Sequence, residues 1–419
     1  MCVRPPLERY VQMLTRSRHA GFALIAAVAI IACGLRMAPV SAATAVVKIG
    51  VELPLSGADA SQGTPMLDGV LLAAAQANAK APKGLTFKVT ALDEAVGGVH
   101  NPQQGATNVK SFSADTGVLG ILGPLASNVA AAEIPIVNAA GIALISGSAT
   151  NPDLTKTQKL RTTHPNDIDF FRVCATDDLQ GAVGAQFAKE QGYKKVYVID
   201  DNETYGKGLA DVFAASFAKL GGDVLGHDHV TPNQQDFRAL LTKVAATNPD
   251  AVFFGGVTAT GGLLIRQQMS SAGLDPAKVA YLGGDGFQDP AYPQQAGAAG
   301  NNTYYTAATP NLAALPAARK FVADYKKRFG NEPSAYSANY YVAAQVLINA
   351  IEKSMKAYGG KVPTRALVLK ELRETKNFPS ILGTFSFDRN GDTTNPLFSI
   401  FAIKNQKEVW IKQIIAKRK

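Results

Sequence analysis

Residues 46–91 read VVKIGVELPLSGADASQGTPMLDGVLLAAAQANAKAPKGLTFKVTA and contain one complete unit of a repeating pattern. The β-branched run at 46–51 predicts a strand, apolar residues at helical spacing predict a helix over 64–78, and the run at 87–91 predicts a second strand. A strand, a helix and a second strand in this order form the unit of parallel sheets with helices on both faces. The stretch therefore predicts an α/β fold.

The unit recurs along the chain in two series. The first series continues to strands at 118–122 and 142–145, and the pattern restarts with a helix at 178–191. Four further strands are predicted at 196–200, 223–230, 251–254 and 279–282. Two such series predict two doubly wound parallel-sheet lobes.

The region beyond residue 304 has a different pattern. It is predicted to form three helices, at 316–329, 334–357 and 365–376, then a hairpin of 385–388 with 398–403 and a last strand near 409–411. These helices must pack on a lobe that has already formed. The chain is therefore expected to cross between the lobes several times, which gives a multi-segment hinge.

The predicted division of the chain follows from these crossings. It assigns a signal peptide to residues 1–42, lobe 1 to 43–172 plus 304–381, and lobe 2 to 173–303 plus 382–419.

The N-terminal segment has the organisation of an export signal. Two arginines precede an apolar run at 21–32, which is shorter than the roughly 20 residues needed to span a bilayer. The small residues at 40–43 match the pattern that signal peptidase recognises, so cleavage is expected after Ala42 or Ala43.

A second interpretation of this segment stays open. Residues 30–33 resemble the lipobox of bacterial lipoproteins, in which Cys33 would carry the lipid anchor. Both interpretations predict an exported protein, and the expected location is the periplasm.

Composition excludes several classes of protein. A hydrophobic fraction of 47% over 419 residues is too high for a disordered chain. The formal net charge is +9, and five arginines and one glutamate within residues 1–42 supply four of these charges. The remaining basic residues form no stripe with interleaved aromatics, so no nucleic-acid partner is expected. Cys174 is the one cysteine sure to remain after export, which leaves no internal disulfide.

Six loops follow predicted strands and are rich in glycine, serine, threonine or aspartate. Ligands of doubly wound sheets bind at the carboxyl ends of the strands, where such loops converge. The loops are 54–63, 123–128, 146–150, 200–206, 255–261 and 283–287.

Short motifs in these loops and beyond them occur in a specific order and spacing. They are Lys48–Val51 with Pro54–Gly57, Gly69, Ile121–Ser127, Ser148–Pro152, Tyr205–Gly208, Gly255–Gly256 with Arg266–Gln267, Gly283–Gly286 and Gly383–Asp392. In this order, after a signal peptide, they resemble the leucine/isoleucine/valine-binding protein family over residues 46–405.

The resemblance implies a type I periplasmic binding protein fold and an exported solute-binding protein of an ABC importer. The ligand implied is an amino acid or a related small solute that carries a carboxylate. The partner implied is the membrane permease of the importer, and a monomer without cofactor is expected.

The resemblance also implies the ligand-binding residues. By this resemblance, Ser127 and Thr150 are expected to bind the ligand carboxylate. Asp285 and the carbonyl of Ser148 are expected to bind the ligand ammonium group. Tyr205 is expected on the opposing face of the second lobe. Ala126 and Ala149, which neighbour Ser127 and Thr150, are also assigned to the ligand-binding set.

The chain departs from the family pattern at four positions. Gln62 and Val257 stand where relatives carry aromatic side chains, and Ala95 and Ala126 stand where the family has a small disulfide. The site for the amino-acid head group is therefore expected to be kept, whereas the side-chain pocket is expected to be roomier and more polar than a leucine site.

Each candidate residue also has an ordinary structural explanation. Ser127 is a favoured helix cap, Asp285 between two glycines suits a turn, and Tyr205 suits a half-buried loop aromatic. His227 and His229 resemble a metal-binding pair, but alternation along a strand produces the same spacing. Residues 388–392 resemble a calcium loop, yet an Asn-Gly hairpin turn explains them equally well.

No catalytic motif is present in the sequence. It contains no G-x-S-x-G, H-E-x-x-H or Walker motif, and only five histidines. An enzyme is therefore not expected, and neither is a bound metal. The alternatives kept are a ligand-sensing receptor component of the same fold and a binder of a small molecule other than an amino acid.

Overall fold

The computed structural model of the chain describes residues 45–416. The signal peptide predicted for residues 1–42, its cleavage site and Cys33 lie outside this range. Among the described residues no helix is long and apolar enough to cross a membrane.

The first half of the described chain alternates strands with helices. Its elements are β1 (Ala45–Leu53), α1 (Ala60–Asn78), β2 (Leu85–Asp93), β3 (Ala95–Val96), β4 (Val99–His100), α2 (Pro102–Ala114), β5 (Val118–Leu122), α3 (Ser127–Ala140), β6 (Ala143–Ser146), α4 (Asp153–Lys156), β7 (Phe170–Arg172), α5 (Asp177–Glu190), β8 (Lys195–Asp200) and α6 (Thr204–Lys219).

The second half continues this pattern and then adds a helical region and a final hairpin. Its elements are β9 (Asp223–His229), α7 (Arg238–Ala246), β10 (Ala251–Gly255), α8 (Leu263–Gln268), β11 (Ala280–Gly283), α9 (Tyr292–Ala296), β12 (Thr303–Ala307), α10 (Arg319–Phe329), α11 (Ala335–Ala357), α12 (Arg365–Arg373), β13 (Leu397–Lys404) and β14 (Lys407–Ile415).

The two predicted lobes each contain one large sheet. The sheet of lobe 1 has five parallel strands in the order β2-β1-β5-β6-β7. The sheet of lobe 2 has seven strands in the order β14-β13-β12-β11-β10-β8-β9. Strands β9, β8, β10, β11 and β12 are parallel to one another. Strand β13 is antiparallel to its two neighbours, β12 and β14. The α/β fold with two doubly wound lobes is therefore confirmed.

Each sheet is covered by apolar side chains on both faces, as expected for parallel strands. In lobe 1, α1, α10, α11 and α12 cover one face, and α2 and α3 cover the other. Helix α11 packs closely on α1, because a Cβ at Gly69 of α1 would lie 2.2 Å from the carbonyl oxygen of Ser337. This packing fixes the start of α11, where Ser334 and Ser337 form a capping box.

Two stretches lie on the other side of the predicted lobe boundaries. Strand β12 pairs with β11 in lobe 2, so residues 304–307 do not belong to lobe 1. Phe385 and Phe387 are buried in the core of lobe 1, although residues after 381 are predicted in lobe 2. The predicted hairpin is also wrong, because β13 pairs with β14 rather than with 385–388.

The chain crosses between the sheets after β7, after β12 and before β13. Three crossings form the multi-segment hinge. Because the parallel strands of both sheets end at loops that meet in one cleft, the site lies between the lobes.

Candidate functional site

A cavity of about 30 Å³ lies in the cleft between the lobes. Its wall is formed by residues of both lobes: Gln62, His100, Leu125, Ala126, Ser127, Asn128, Ser148, Glu203, Tyr205, Val257, Asp285, Gly286 and Tyr336. Seven of the nine residues predicted from the sequence are among them.

Ser127 is the first residue of α3, directly after β5 and a short loop. Its neighbour Ala126 occupies the cap position and offers no side-chain cap to the helix. The Ser127 Oγ accepts a 3.2 Å hydrogen bond from the Asn151 backbone N–H, which leaves its hydroxyl hydrogen to donate. A helix start with free donors and the positive end of the dipole favours an anion.

Ser148 lies on the same side of the cavity, after β6. Its Oγ donates a 2.9 Å hydrogen bond to the carbonyl of Leu125 and lies 3.2 Å from the Tyr340 hydroxyl. These bonds tie the loop after β6 to the loop before α3, so both lobe 1 loops keep a fixed spacing.

Ala149 and Thr150 lie behind the cavity wall, and both are fully buried. The Thr150 hydroxyl donates a 3.0 Å hydrogen bond to Asp177, and the Ala149 carbonyl accepts one from Arg172. Arg172 is itself fully buried and pairs with Asp392 at 2.7 Å. This network holds the loop after β6 in place from the side away from the cavity. A direct contact of Ala149 or Thr150 with a ligand stays a prediction.

Asp285 follows β11 and supplies the acidic group of lobe 2. Its Oδ1 accepts hydrogen bonds of 2.8 Å from both the Gln180 amide and the Tyr205 hydroxyl, and its Oδ2 accepts one from the Tyr336 hydroxyl. A carboxylate has about four acceptor positions, so Oδ2 retains one for a ligand. Burial raises the pKa of Asp285, and the three hydrogen bonds oppose this shift.

Glycines allow the close approach of Tyr205 to Asp285. A Cβ on Gly284 would lie 2.5 Å from the Tyr205 hydroxyl oxygen. The same hydroxyl accepts a 2.9 Å hydrogen bond from the Gly286 N–H. Tyr205 is therefore part of the acidic site and not an isolated loop aromatic.

Tyr336 was not predicted from the sequence. It lies in the first turn of α11, in lobe 1, and reaches Asp285 of lobe 2. A second hydrogen bond between the lobes, 2.7 Å long, runs from the Asn151 amide to the carbonyl of Thr204. Since both bonds cross the cleft, the structure has its lobes closed on each other.

His100 and Glu203 were also missed. The His100 ring lies between two carboxylates, with Nδ1 2.7 Å from Asp59 and Nε2 2.9 Å from Glu203. Burial disfavours the imidazolium, but the hydrogen bonds and charges of Asp59 and Glu203 raise the pKa of His100 to about 10. The pair of His100 with Glu203 is a third contact across the cleft.

Gln62 and Val257 both lie in the cavity wall. Gln62 lies in the first turn of α1 and is 4% exposed, and its Nε2 has no hydrogen-bond partner among the described residues. Val257 follows β10 and is also buried. The wall at these positions is therefore one amide and one small apolar side chain.

Two motifs outside the cleft have local explanations. Alternation along β9 places His227 and His229 within 2.6 Å and 2.8 Å of the buried Asp200 carboxylate. At 388–392, the Asp388 carboxylate accepts hydrogen bonds from the N–H groups of Asn390 and Asp392, which is the geometry of a tight turn.

The chain is similar to known proteins over most of its length. The family pattern described as "Periplasmic binding protein" matches residues 46–408. The chain belongs to the periplasmic binding protein family. Among curated relatives of this family, the Leu/Ile/Val-binding protein homolog 3 of Brucella melitensis is 32% identical over 375 residues, which cover 89% of this chain and 95% of the relative.

Solved structures of other periplasmic binding proteins have the same fold. The leucine-binding protein LivK of Thermotoga maritima is 29% identical, with a TM-score of 0.77 over 88% of this chain and 98% of that chain. The branched-chain amino acid binding protein LivJ of Streptococcus pneumoniae, solved with isoleucine, is 26% identical, with a TM-score of 0.75 over 89% of this chain and 100% of that chain.

Proposed function

We propose that the chain is the exported solute-binding protein of an ABC importer and that its ligand is an α-amino acid. The ligand lies between the lobes, which close around it, and the closed form docks on a membrane permease. Relatives described as Leu/Ile/Val-binding proteins support this class of ligand.

The opposite chemistry of the two cavity walls carries the proposal. Lobe 1 presents the hydroxyl of Ser127 at the start of α3, where an anion is favoured. Lobe 2 presents the Asp285 carboxylate, where a cation is favoured. A zwitterionic head group satisfies both walls at once, and a charge enclosed without a partner is costly.

Closure follows from this division of contacts. In an open form, the groups of only one lobe can reach the ligand, so the ligand binds the closed form more tightly and shifts the population toward it. The bonds from Tyr336 to Asp285 and from Asn151 to Thr204 form in the same movement. Ligand and direct contacts therefore act together in closing the cleft.

The proposed location is the periplasm, with the signal peptide of residues 1–42 removed after Ala42 or Ala43. The lipid-anchored form through Cys33 remains the alternative. Intact-mass analysis of the exported protein separates the two, because a mass that includes a diacylated Cys33 excludes cleavage at Ala42 or Ala43. The mature protein is proposed to act as a monomer.

A thermal-shift screen tests the proposed ligand class. The panel holds the twenty amino acids and small carboxylates without an amino group, such as benzoate. A ligand at 100 times its Kd stabilises the folded state by about 2.7 kcal/mol. The proposal expects such a shift for at least one α-amino acid. A shift with amino-free carboxylates alone, or with none of the panel, would contradict it.

A further inference from the structure

Besides the head-group residues, the cavity wall carries an amide and a carboxylate that have unused hydrogen-bonding capacity. These are Gln62 in lobe 1 and Glu203 in lobe 2. The apolar part of this wall comes from Val257, Leu125 and Ala126, which are small or medium in size. The side chain of leucine offers these two polar groups no hydrogen bond, so this wall suits a polar ligand side chain better.

The Gln62 amide is a buried donor without an acceptor. Its Nε2 is buried and makes no hydrogen bond to any described residue. A buried donor left without a partner costs the free energy of its desolvation, and native structures rarely leave one unpaired. The cavity is where an acceptor can be supplied, because Gln62 lines it.

Glu203 offers an acceptor on the opposing wall. Its Oε2 lies 2.9 Å from His100, and no hydrogen bond joins its Oε1 to another described residue. His100 has both ring nitrogens engaged, by Asp59 and by Glu203, so it positions Glu203 and offers no donor of its own. The Glu203 side chain is 20% exposed.

The combined charge of Asp59, His100 and Glu203 further restricts which ligand side chains can bind here. One imidazolium between the carboxylates of Asp59 and Glu203 leaves a net charge of one unit negative. An acidic ligand side chain would meet repulsion there. A cationic side chain could pair with Glu203, but it would leave the Gln62 donor unpaired.

We propose that Gln62 and Glu203 are specificity-determining residues that select an α-amino acid whose neutral side chain both accepts and donates a hydrogen bond, as an amide or a hydroxyl group does. The side chain accepts from Gln62 and donates to Glu203. A branched apolar side chain would leave the Gln62 Nε2 and the Glu203 Oε1 without hydrogen-bond partners. This inference rests on the proposed function, since it takes the head group of an α-amino acid as bound.

Near-isosteric pairs of amino acids provide a direct test by calorimetry. Asparagine and leucine have side chains of similar shape, and so do threonine and valine, so each pair differs chiefly in hydrogen bonding. The polar member of at least one pair is expected to bind between about 5-fold and about 150-fold more tightly, the range set by leaving one buried group unpaired.

Variants assign this difference to the two residues. Gln62→Leu is expected to weaken binding of the preferred polar amino acid. The ratio of its affinity to that of the apolar partner is expected to fall or to reverse. Glu203→Gln is expected to weaken the polar ligand as well, because a charged acceptor becomes a neutral one. Gln103→Leu, at an exposed position of α2, makes the same chemical change outside the cavity and is expected to leave the ratio unchanged.

The outcomes separate this inference from the proposed function. If leucine binds as tightly as asparagine and valine binds as tightly as threonine, the inference is overturned and the proposed function stays intact. Binding of none of the four amino acids, with binding of another α-amino acid of apolar side chain, would overturn it in the same way. If no α-amino acid binds at all, the proposed function fails and the inference fails with it.

Discussion

The hydroxyl of Tyr336, in the first turn of α11, donates a hydrogen bond to the carboxylate of Asp285, which follows β11 in the other lobe. Both side chains are buried. Burial and the nearby Asp285 charge raise the pKa of Tyr336, so its hydroxyl keeps its hydrogen. One bond therefore links the candidate ammonium site to the closed arrangement of the lobes.

The first prediction concerns this bond. Tyr336→Phe removes the hydroxyl and keeps the ring, so ligand affinity should fall by roughly 10- to 150-fold, the cost of a hydrogen bond to a charged group. Tyr341→Phe is the matched control on the same helix, because the Tyr341 hydroxyl bonds Gln76 within lobe 1. Calorimetry that gives the two variants equal affinities would contradict the role of Tyr336 in closure.

The second prediction concerns His100, which lies between the carboxylates of Asp59 and Glu203. His100→Gln should lower the free energy of unfolding by about 3–5 kcal/mol at pH 7, because it leaves a buried charge without its partner. His164→Gln, at an exposed histidine, is the control. Urea unfolding of both variants measures the difference.

The pH dependence of the His100 contribution has a definite sign. A folded pKa of about 10, raised from 6.5, means that the folded protein holds this proton more tightly than the unfolded chain. The stabilisation is therefore complete below pH 6.5 and is lost as pH rises towards 10. A gap between parent and His100→Gln that widens from pH 7 to pH 9 would contradict this assignment.

The third prediction concerns three fully buried glutamates, Glu52, Glu94 and Glu133, whose carboxyl groups lie within 4.8 Å of one another. Burial raises the pKa of each, and for Glu94 and Glu133 the charge of Glu52 raises it further. The folded protein therefore binds more protons than the unfolded chain above about pH 4.5. The contribution of these groups to stability falls as pH rises through their folded pKa.

Glu94→Gln removes one of these titrating groups. Relative to the parent, this variant should become more stable as the pH rises from 5 to 8. The expected gain is about 1.4 kcal/mol for each pH unit that lies between the unfolded and the folded pKa of Glu94. Glu374→Gln, at an exposed glutamate of lobe 1, should show no such gain. Equal pH slopes for Glu94→Gln and the parent would show that Glu94 is ionised throughout this range.

The sequence predicts the sheets and part of the site for a physical reason. Strands that alternate with helices must form parallel sheets, and loops after such strands must meet at one edge. Ser127, Ser148 and Asp285 lie within five residues of the ends of β5, β6 and β11, so this rule places them in the cleft. The burial of Gln62 in the same wall depends on how α1 packs, and its identification came from the family resemblance.

The residues that were missed depend on contacts far apart in the chain. His100 lies in a short hairpin, and its partner Glu203 is 103 positions away in the other lobe. Tyr336 belongs to a helix whose apolar pattern predicts burial and gives no sign of a contact with Asp285. The Thr150 hydroxyl donates its hydrogen bond to the buried Asp177, a contact that spacing in the sequence cannot show.

In the proposed binding mode, the two lobes divide the head group of an α-amino acid between Ser127 and Asp285. Calorimetry with the amino acid identified by screening tests it on folded Asp285→Ala and Ser127→Ala, with Asp275→Ala at an exposed position as control. Asp285→Ala is expected to lose about 2–5 kcal/mol of binding free energy, and Ser127→Ala is expected to lose less, because its backbone N–H remains. If Asp285→Ala binds the amino acid as tightly as the parent does, Asp285 does not hold the ammonium group.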